Sequence, residues 1–276
     1  MPPAPSRPVQ PPEHGRTPQH VAGPFKLIAV EEADSTSTMA KRLCTAGAED
    51  GTLVWALRQT AGRGRLSRTW ISPHGNLYVS LILRPDIDAT RAAGLTFAAA
   101  VAVVDAVATL LGGDAGVRCK WPNDVLASGR KIAGILLESE TGAAGRLEWV
   151  VIGIGLNVAS HPPDGETLYP ATSLAAEGAG AVGVEQALSV LCGSLDHWLR
   201  RWAEGGFAPV RRAWIERAYD LGGPVAIRCG DDAVRGVFRG LDDDGALILD
   251  QGGAVRRITA GDVLPGHGPA AVPSAS

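Results

Sequence analysis

Between Arg58 and Trp70 the chain reads R-Q-T-A-G-R-G-R-L-S-R-T-W, with four arginines and no acid. Guanidinium groups are planar forks that match carboxylate and phosphate oxygens, so this spacing suits an anionic ligand. Gly62 and Gly64 are read as positions of positive φ where the backbone comes close to that ligand. A basic, solvated hairpin loop is the plainer reading; the alternation of glycine with arginine and the placing of Gln59 at a strand exit favour binding. A second polar stretch is Lys120-Trp-Pro-Asn-Asp. Pro122 makes Trp121 extended and ends a strand, so Asn123 and Asp124 emerge where sites of α/β sheets tend to lie. Lys131 follows a tight turn at Ser128-Gly129-Arg130. Further on, Gly134, Gly153 and Gly155 leave room for a flat ligand or a neighbouring strand. In Asp34-Ser-Thr-Ser, Asp34 or Ser35 can cap a helix, and the same hydroxyls can hold a polar ligand head.

Hydrophobic patterning supplies the elements that must position these groups. Strands are predicted from Phe25, over Thr52 to Leu57, through Ile71-Ser-Pro and Asn76 to Leu83, over Val117 to Trp121, from Lys131, and over Leu147 to Val158. Arg91 to Leu111 reads as a central buried helix. Ala159 to Gly183 reads as a loop, and helices are predicted over Val184 to Ala203 and Phe207 to Ala218, with Trp198, Trp202 and Trp214 facing inward. From Gly222 the pattern becomes short alternating strands between Gly/Asp turns, which suggests a small SH3-like β-barrel. The expected organisation is a Pro-rich tail (1–24), a catalytic domain (25–220), the barrel (221–265) and a flexible tail (266–276).

With 276 residues, 45% of them hydrophobic, the chain can bury a sizeable core. A net charge of −3 argues against a general affinity for nucleic acid or anionic membranes, so any positive field must be local. No apolar run is expected to reach the ~20 residues that span a bilayer, and no signal peptide is read; a cytoplasmic protein is expected. Cys44, Cys119, Cys192 and Cys229 lie far apart without a C-x-x-C pair, which fits unpaired thiols better than a zinc site.

Four blocks in order, G-R-G-R with R-T-W, then K-W-P-N-D, then G-R-K-I-A-G-I-L, then G-I-G-L-N-V, followed by a small β-barrel, resemble the biotin protein ligase family across about Phe25 to Leu264. The resemblance implies an α+β fold: a class II synthetase-like mixed sheet flanked by helices, with an SH3-like barrel after it. It implies an enzyme that joins biotin to ATP as biotinyl-5′-AMP and passes the acyl group to a lysine of a carboxylase's biotin carboxyl carrier domain. No winged-helix segment is read before Phe25, as in the monofunctional class. By the same resemblance Arg65, Lys131 and Asp124 are catalytic. Biotin falls to Ser35, Thr36, Ser37, Gln59, Arg63, Gly64, Arg65, Lys131 and Gly134. The adenylate falls to Arg65, Arg68, Trp70, Lys120, Asn123, Asp124, Lys131 and Asn157.

Asp124 is assigned to orient or deprotonate the incoming lysine, whose free pKa is ~10.4. Trp70 is either a divider between biotin and adenylate or a core residue. Mg²⁺ is expected to arrive with ATP, with no preformed metal cluster, and the protein to be a monomer or weak homodimer. Two departures from the family pattern are Ser37, where an asparagine is usual, and Ser67, where a glycine is usual. Because four like charges sit together with no acid beside them in sequence, Thr60 to Thr69 is expected to be mobile until ligand binds. Rival readings are a lipoate or octanoate ligase, a biotin-responsive or DNA-binding protein without enzymatic work, and a β-barrel adaptor for proline-rich peptides. The last lacks an aromatic groove, since Phe238 is the one aromatic residue between 221 and 265.

Overall fold

Seven strands pair into one mixed sheet in the computed structural model, which describes residues 23–113, 116–142 and 145–265. Apart from Gly23 and Pro24, the expected tails lie outside the described residues. Strands β1 (Lys26–Ala33) and β2 (Thr52–Gln59) run parallel, joined by helix α1 (Thr36–Thr45), because parallel neighbours need a crossover. Next come β3 (Leu77–Leu83), helix α2 (Ala93–Leu110), β4 (Arg118–Lys120), β5 (Asp124–Ala127), β6 (Arg130–Thr141) and β7 (Leu147–Leu156). The spatial order is β1-β2-β3-β7-β6-β5-β4, antiparallel beyond β2.

Period-two alternation divides the side chains between two faces. Leu53, Trp55, Leu81 and Ile152 pack with α2, while Val54, Ile82 and Val151 pack with Ala40 and Cys44 of α1. The stretch Ala89–Leu110 is long and apolar enough by composition to cross a bilayer, contrary to the sequence expectation, and it forms the buried centre of the fold. Helices α3 (Val184–Gly205) and α4 (Phe207–Glu216) cover it. The carboxylate of Asp105 on α2 accepts hydrogen bonds from Trp198 Nε1 at 2.7 Å and Arg217 Nε at 3.2 Å, fixing these layers together. Trp198, Trp202 and Trp214 are buried, as expected.

Three predicted features are corrected. Ile71-Ser-Pro is not a strand; Ser72 O takes one hydrogen bond from Gln59 N–H, and Pro73 has no donor to extend a ladder. Asp124 does not hang from the end of a strand but opens β5, a hairpin partner that sets it opposite Lys120. A fifth strand completes the second sheet, in which β8 (Pro224–Cys229), β9 (Asp232–Leu241), β10 (Leu247–Asp250), β11 (Val255–Ile258) and β12 (Asp262–Val263) run in the order β11-β10-β9-β8-β12. This sheet docks through Phe238, edge-on to Trp214, and through Gly245 O, which accepts from Trp121 Nε1 at 3.2 Å.

Candidate active site

The α1 face of the sheet becomes hollow because its side chains shrink along the strands. Ile82 and Val151, paired across β3 and β7, give way to Ser80 opposite Gly153 and then to Gly155, itself opposite Gly134 of β6. A cavity of about 400 Å³ opens there, and every residue named above for biotin or adenylate lines it. Its uncharged end is a linked set of hydroxyls. Ser80 Oγ donates to Thr36 Oγ1 at 2.8 Å and lies 3.1 Å from Ser37 Oγ. Gln59 Oε1 accepts from Thr36 N–H at 2.8 Å and from its hydroxyl at 3.2 Å, so Gln59, not Asp34 or Ser35, satisfies the first turn of α1. The Asp34 carboxylate turns instead to Ser35 N–H and Arg42.

Trp70 forms the wall beside this hollow. A Cβ on Gly155 would stand 2.4 Å from Trp70 Cε2, and one on Gly134 would stand 3.0 Å from Trp70 Cζ3, so the two glycines admit the indole. Glycine is needed at Gly62 for a different reason: a Cβ there would meet the backbone carbonyl oxygen of Trp70 at 2.3 Å and Ser72 Oγ at 2.5 Å. Contrary to the sequence expectation, neither Gly62 nor Gly64 takes positive φ. Leu66 (φ 53°) and Ser67 (φ 57°) do, in a turn of 3₁₀ helix at Arg65–Ser67.

The charged end gathers four cations. Lys131 is fixed by its backbone, which donates to Pro170 O at 2.7 Å and accepts from Thr172 N–H at 2.9 Å. Its ammonium lies 2.5 Å from Asp124 Oδ1 and 5.4 Å from the Trp70 ring centroid. Lys120 Nζ is 3.2 Å from Asp124 Oδ2 and 4.7 Å from the Tyr169 ring centroid. Burial pushes the Asp124 carboxyl up, but the two lysines outweigh it and bring its pKa to about 2. Burial lowers the Lys120 pKa, with the Asp124 charge opposing it. Arg65 Nη1 donates to Asn123 Oδ1 at 3.1 Å, and Arg68 Nη2 pairs with Asp262. Asn157 is buried, and its amide donates to Thr172 O at 2.9 Å, holding the segment that clamps Lys131. Arg58 turns away to Glu32 at 3.0 Å and does not line the cavity.

The expectation of a self-repelling loop without acids is corrected here. Arg63 lies 3.0 Å from Glu138, which also takes Lys41, while Arg68 and, at 3.8 Å, Arg65 face Asp262. Glu138, Asp262, Ser72, Ser80 and Tyr169 were missed by sequence reasoning. Glu138, Tyr169 and Asp262 lie far along the chain from the basic loop, while Ser72 and Ser80 follow it closely in ordinary loop and strand contexts, and none has a motif of its own to announce it.

This geometry can hold two anions together beside an uncharged pocket, and comparison with known proteins shows which family the chain resembles. Residues 29–157 match the model of the biotin/lipoate A/B protein ligase family, and residues 220–264 match that of the biotin protein ligase C-terminal domain. A biotin–[acetyl-CoA-carboxylase] ligase of Paracoccus denitrificans is 42% identical over 82% of this chain and 94% of its own length. The biotin protein ligase of Aquifex aeolicus solved with biotin and ATP superposes with a TM-score of 0.70 at 27% identity, covering 86% of this chain and 97% of that one. That of Leishmania major, solved with biotinyl-5-AMP, gives 0.60 at 25% identity over 87% and 100%. Two matched regions, one in each sheet, and a relative aligned over nearly its full length show that the chain belongs to the biotin protein ligase family.

Proposed function

We propose that this protein activates biotin with ATP as biotinyl-5′-AMP and transfers the biotinyl group to one lysine of a carboxylase's biotin carboxyl carrier domain. The observation that supports it is the convergence of Arg65, Arg68, Lys120 and Lys131 on one cavity whose other end is an uncharged hollow. Joining a carboxylate to a phosphate requires two anions to be held together away from water. In this reading biotin lies among Ser35, Thr36, Ser37, Gln59, Arg63, Gly64 and Gly134. Its carboxylate meets Lys131, and the α-phosphate meets Lys131, Arg65 and Arg68. Trp70 divides the two halves, while Lys120, Asn123 and Asn157 serve the nucleotide side. A biotin oxygen attacks the α-phosphorus, the bond to pyrophosphate breaks, and the cations stabilise the charge that leaves. The carrier lysine then attacks the acyl carbon and AMP departs.

Asp124 belongs to the second step as an orienting group. A carboxylate with a pKa of about 2 is too weak a base to strip an ammonium whose pKa is ~10.4. Mg²⁺ fits as the escort of the phosphates, because Asp124 and Asp262 both line the cavity but already face cations, and no cluster of three His, Cys, Asp or Glu side chains occurs among the described residues. The same reading takes 25–220 as the catalytic unit and 221–265 as the barrel. It makes the protein a cytoplasmic monomer or weak dimer without nucleic-acid or membrane partners, supported by its net charge of −3 and its four free cysteines.

The test is to incubate the protein with ATP, Mg²⁺ and a biotin carboxyl carrier domain, offering biotin, lipoate or octanoate in separate reactions. A mass gain of one biotinyl group on one lysine, with biotin alone, is the expected result. Modification by lipoate or octanoate instead would replace biotin with that acid, and no modification by any of them would overturn the ligase reading.

A further inference from the structure

The second sheet reaches into the cavity at one place. Asp262 sits on β12 in register with Arg228 of β8, so a β-ladder fixes its backbone, and its side chain is 11% exposed. Arg68 Nη2 pairs with Asp262 Oδ2, Arg65 Nη1 lies 3.8 Å from Oδ1, and Gly261 O accepts from both terminal nitrogens of Arg65 at 3.5 Å. These are the arginines that face the phosphate in the reading above. The contact is one-sided: Nη2 is the guanidinium nitrogen of Arg68 that bonds among the described residues, and Arg68 remains 42% exposed. A guanidinium carries five N–H donors, so one edge can stay on a carboxylate while the others meet a second anion. The loop's backbone closes on itself, with Gly64 N–H donating to Arg68 O at 2.7 Å and Arg68 N–H to Arg65 O at 3.1 Å, but Leu66 and Ser67, neither of them glycine, take left-handed φ between the two arginines, a conformation that costs free energy and that contacts from outside the loop help to hold.

We propose that Asp262 is a positioning residue for adenylate formation: it holds Arg65 and Arg68 over the cavity with their free edges turned to the nucleotide, so the second sheet completes the activating site. The proposal rests on the ligase reading and extends it to a residue outside the basic loop. Burial raises the Asp262 pKa, but Arg68, Arg65 and Lys120 outweigh it and keep the carboxyl below the usual carboxylate range, so it carries its charge at neutral pH.

The experiment is biotin-dependent ATP–pyrophosphate exchange by the full-length protein, with ATP and biotin varied separately, for wild type, Asp262→Asn, Asp262→Glu and Arg228→Gln. Asp262→Asn keeps the shape and loses the charge. Its kcat/KM for ATP should fall about tenfold while its KM for biotin and its transfer rate from preformed biotinyl-adenylate stay within about twofold, as removal of one charge-assisted contact implies. Asp262→Glu should recover part of the loss. Arg228→Gln, which alters the other partner of Asp262 at 3.6 Å, controls for damage to the second sheet and should leave exchange unchanged. Unchanged ATP parameters in Asp262→Asn, or equal losses for ATP, biotin and transfer, would overturn the proposal. Absence of exchange by the wild type would instead overturn the ligase reading on which it stands.

Discussion

Replacing Lys131 by alanine should abolish useful adenylate formation and leave the fold standing. The Lys131 backbone is clamped by Pro170 and Thr172, neither of which depends on the side chain, so the strand and the segment beside it keep their hydrogen bonds. Asp124 loses the ammonium at 2.5 Å but keeps Lys120 at 3.2 Å, so it remains an ionised, paired carboxylate. The cost to stability should be about 1–3 kcal/mol, that of one hydrogen bond to a charged group. The chemical step suffers more. An ammonium about 4 Å from an anionic oxygen contributes roughly 4 kcal/mol at an effective dielectric of 20, and it meets negative charge from both reacting groups. Removing one preorganised donor of this kind should cost a factor of about 10² to 10³ in kcat. Biotin-dependent ATP–pyrophosphate exchange measures this step, and urea unfolding of the same sample reports the fold. Exchange within about threefold of wild type in a folded variant would show that Lys131 is not the residue bridging the two anions.

Other perturbations follow from the same geometry. Gly155→Ala would set a methyl group 2.4 Å from the Trp70 indole; the ring must swing into the cavity, and biotin affinity measured by calorimetry should fall at least about tenfold, with an overpacking cost of about 1–3 kcal/mol in stability. Gln59→Leu removes the acceptor for Thr36 N–H, and leaving that donor unpaired should destabilise the protein by about 1–3 kcal/mol in urea unfolding and raise the KM for biotin. Asp124 has a folded pKa depressed from 3.8 to about 2, so its contribution is fully present above pH 4 and fades as pH falls towards 2. That shift corresponds to about 2 kcal/mol; stability measured against pH should fall through this window in wild type, and the difference from Asp124→Asn should shrink there.

Alternation and punctuation made much of the fold legible. Apolar runs such as Leu53 to Leu57 and Leu147 to Leu156 pair as strands, and the Ser128-Gly129 turn joins β5 to β6 with positive φ at both residues, as short hairpin turns require. Short elements escaped. The four-residue β5 comes just after Pro122, which reads as the end of a strand, so no further strand is assigned there, and the two-residue β12 has too few positions to show a period. The site was legible in its basic and polar residues because they cluster locally in G-R-G-R and K-W-P-N-D. Its acids were not, because Glu138 and Asp262 reach the arginines through pairing of strands distant in sequence. The glycines were assigned backbone freedom or the approach of a ligand or strand, whereas the constraint is the bulk of the Trp70 indole at Gly155 and the Trp70 carbonyl oxygen with the Ser72 hydroxyl at Gly62, which only the folded chain brings near.

The central claim is that two mutually repelling acids are joined on this chain, and isolating the joined product tests it most directly. The protein is incubated with biotin, ATP and Mg²⁺ but no carrier domain, freed of small molecules by rapid gel filtration, then denatured, and the released ligand identified by mass spectrometry. Biotinyl-5′-AMP, bound without a covalent link and in comparable amount to the chain, is the predicted result. Recovery of biotin and ATP unchanged from a folded, active-site-intact sample would contradict the account.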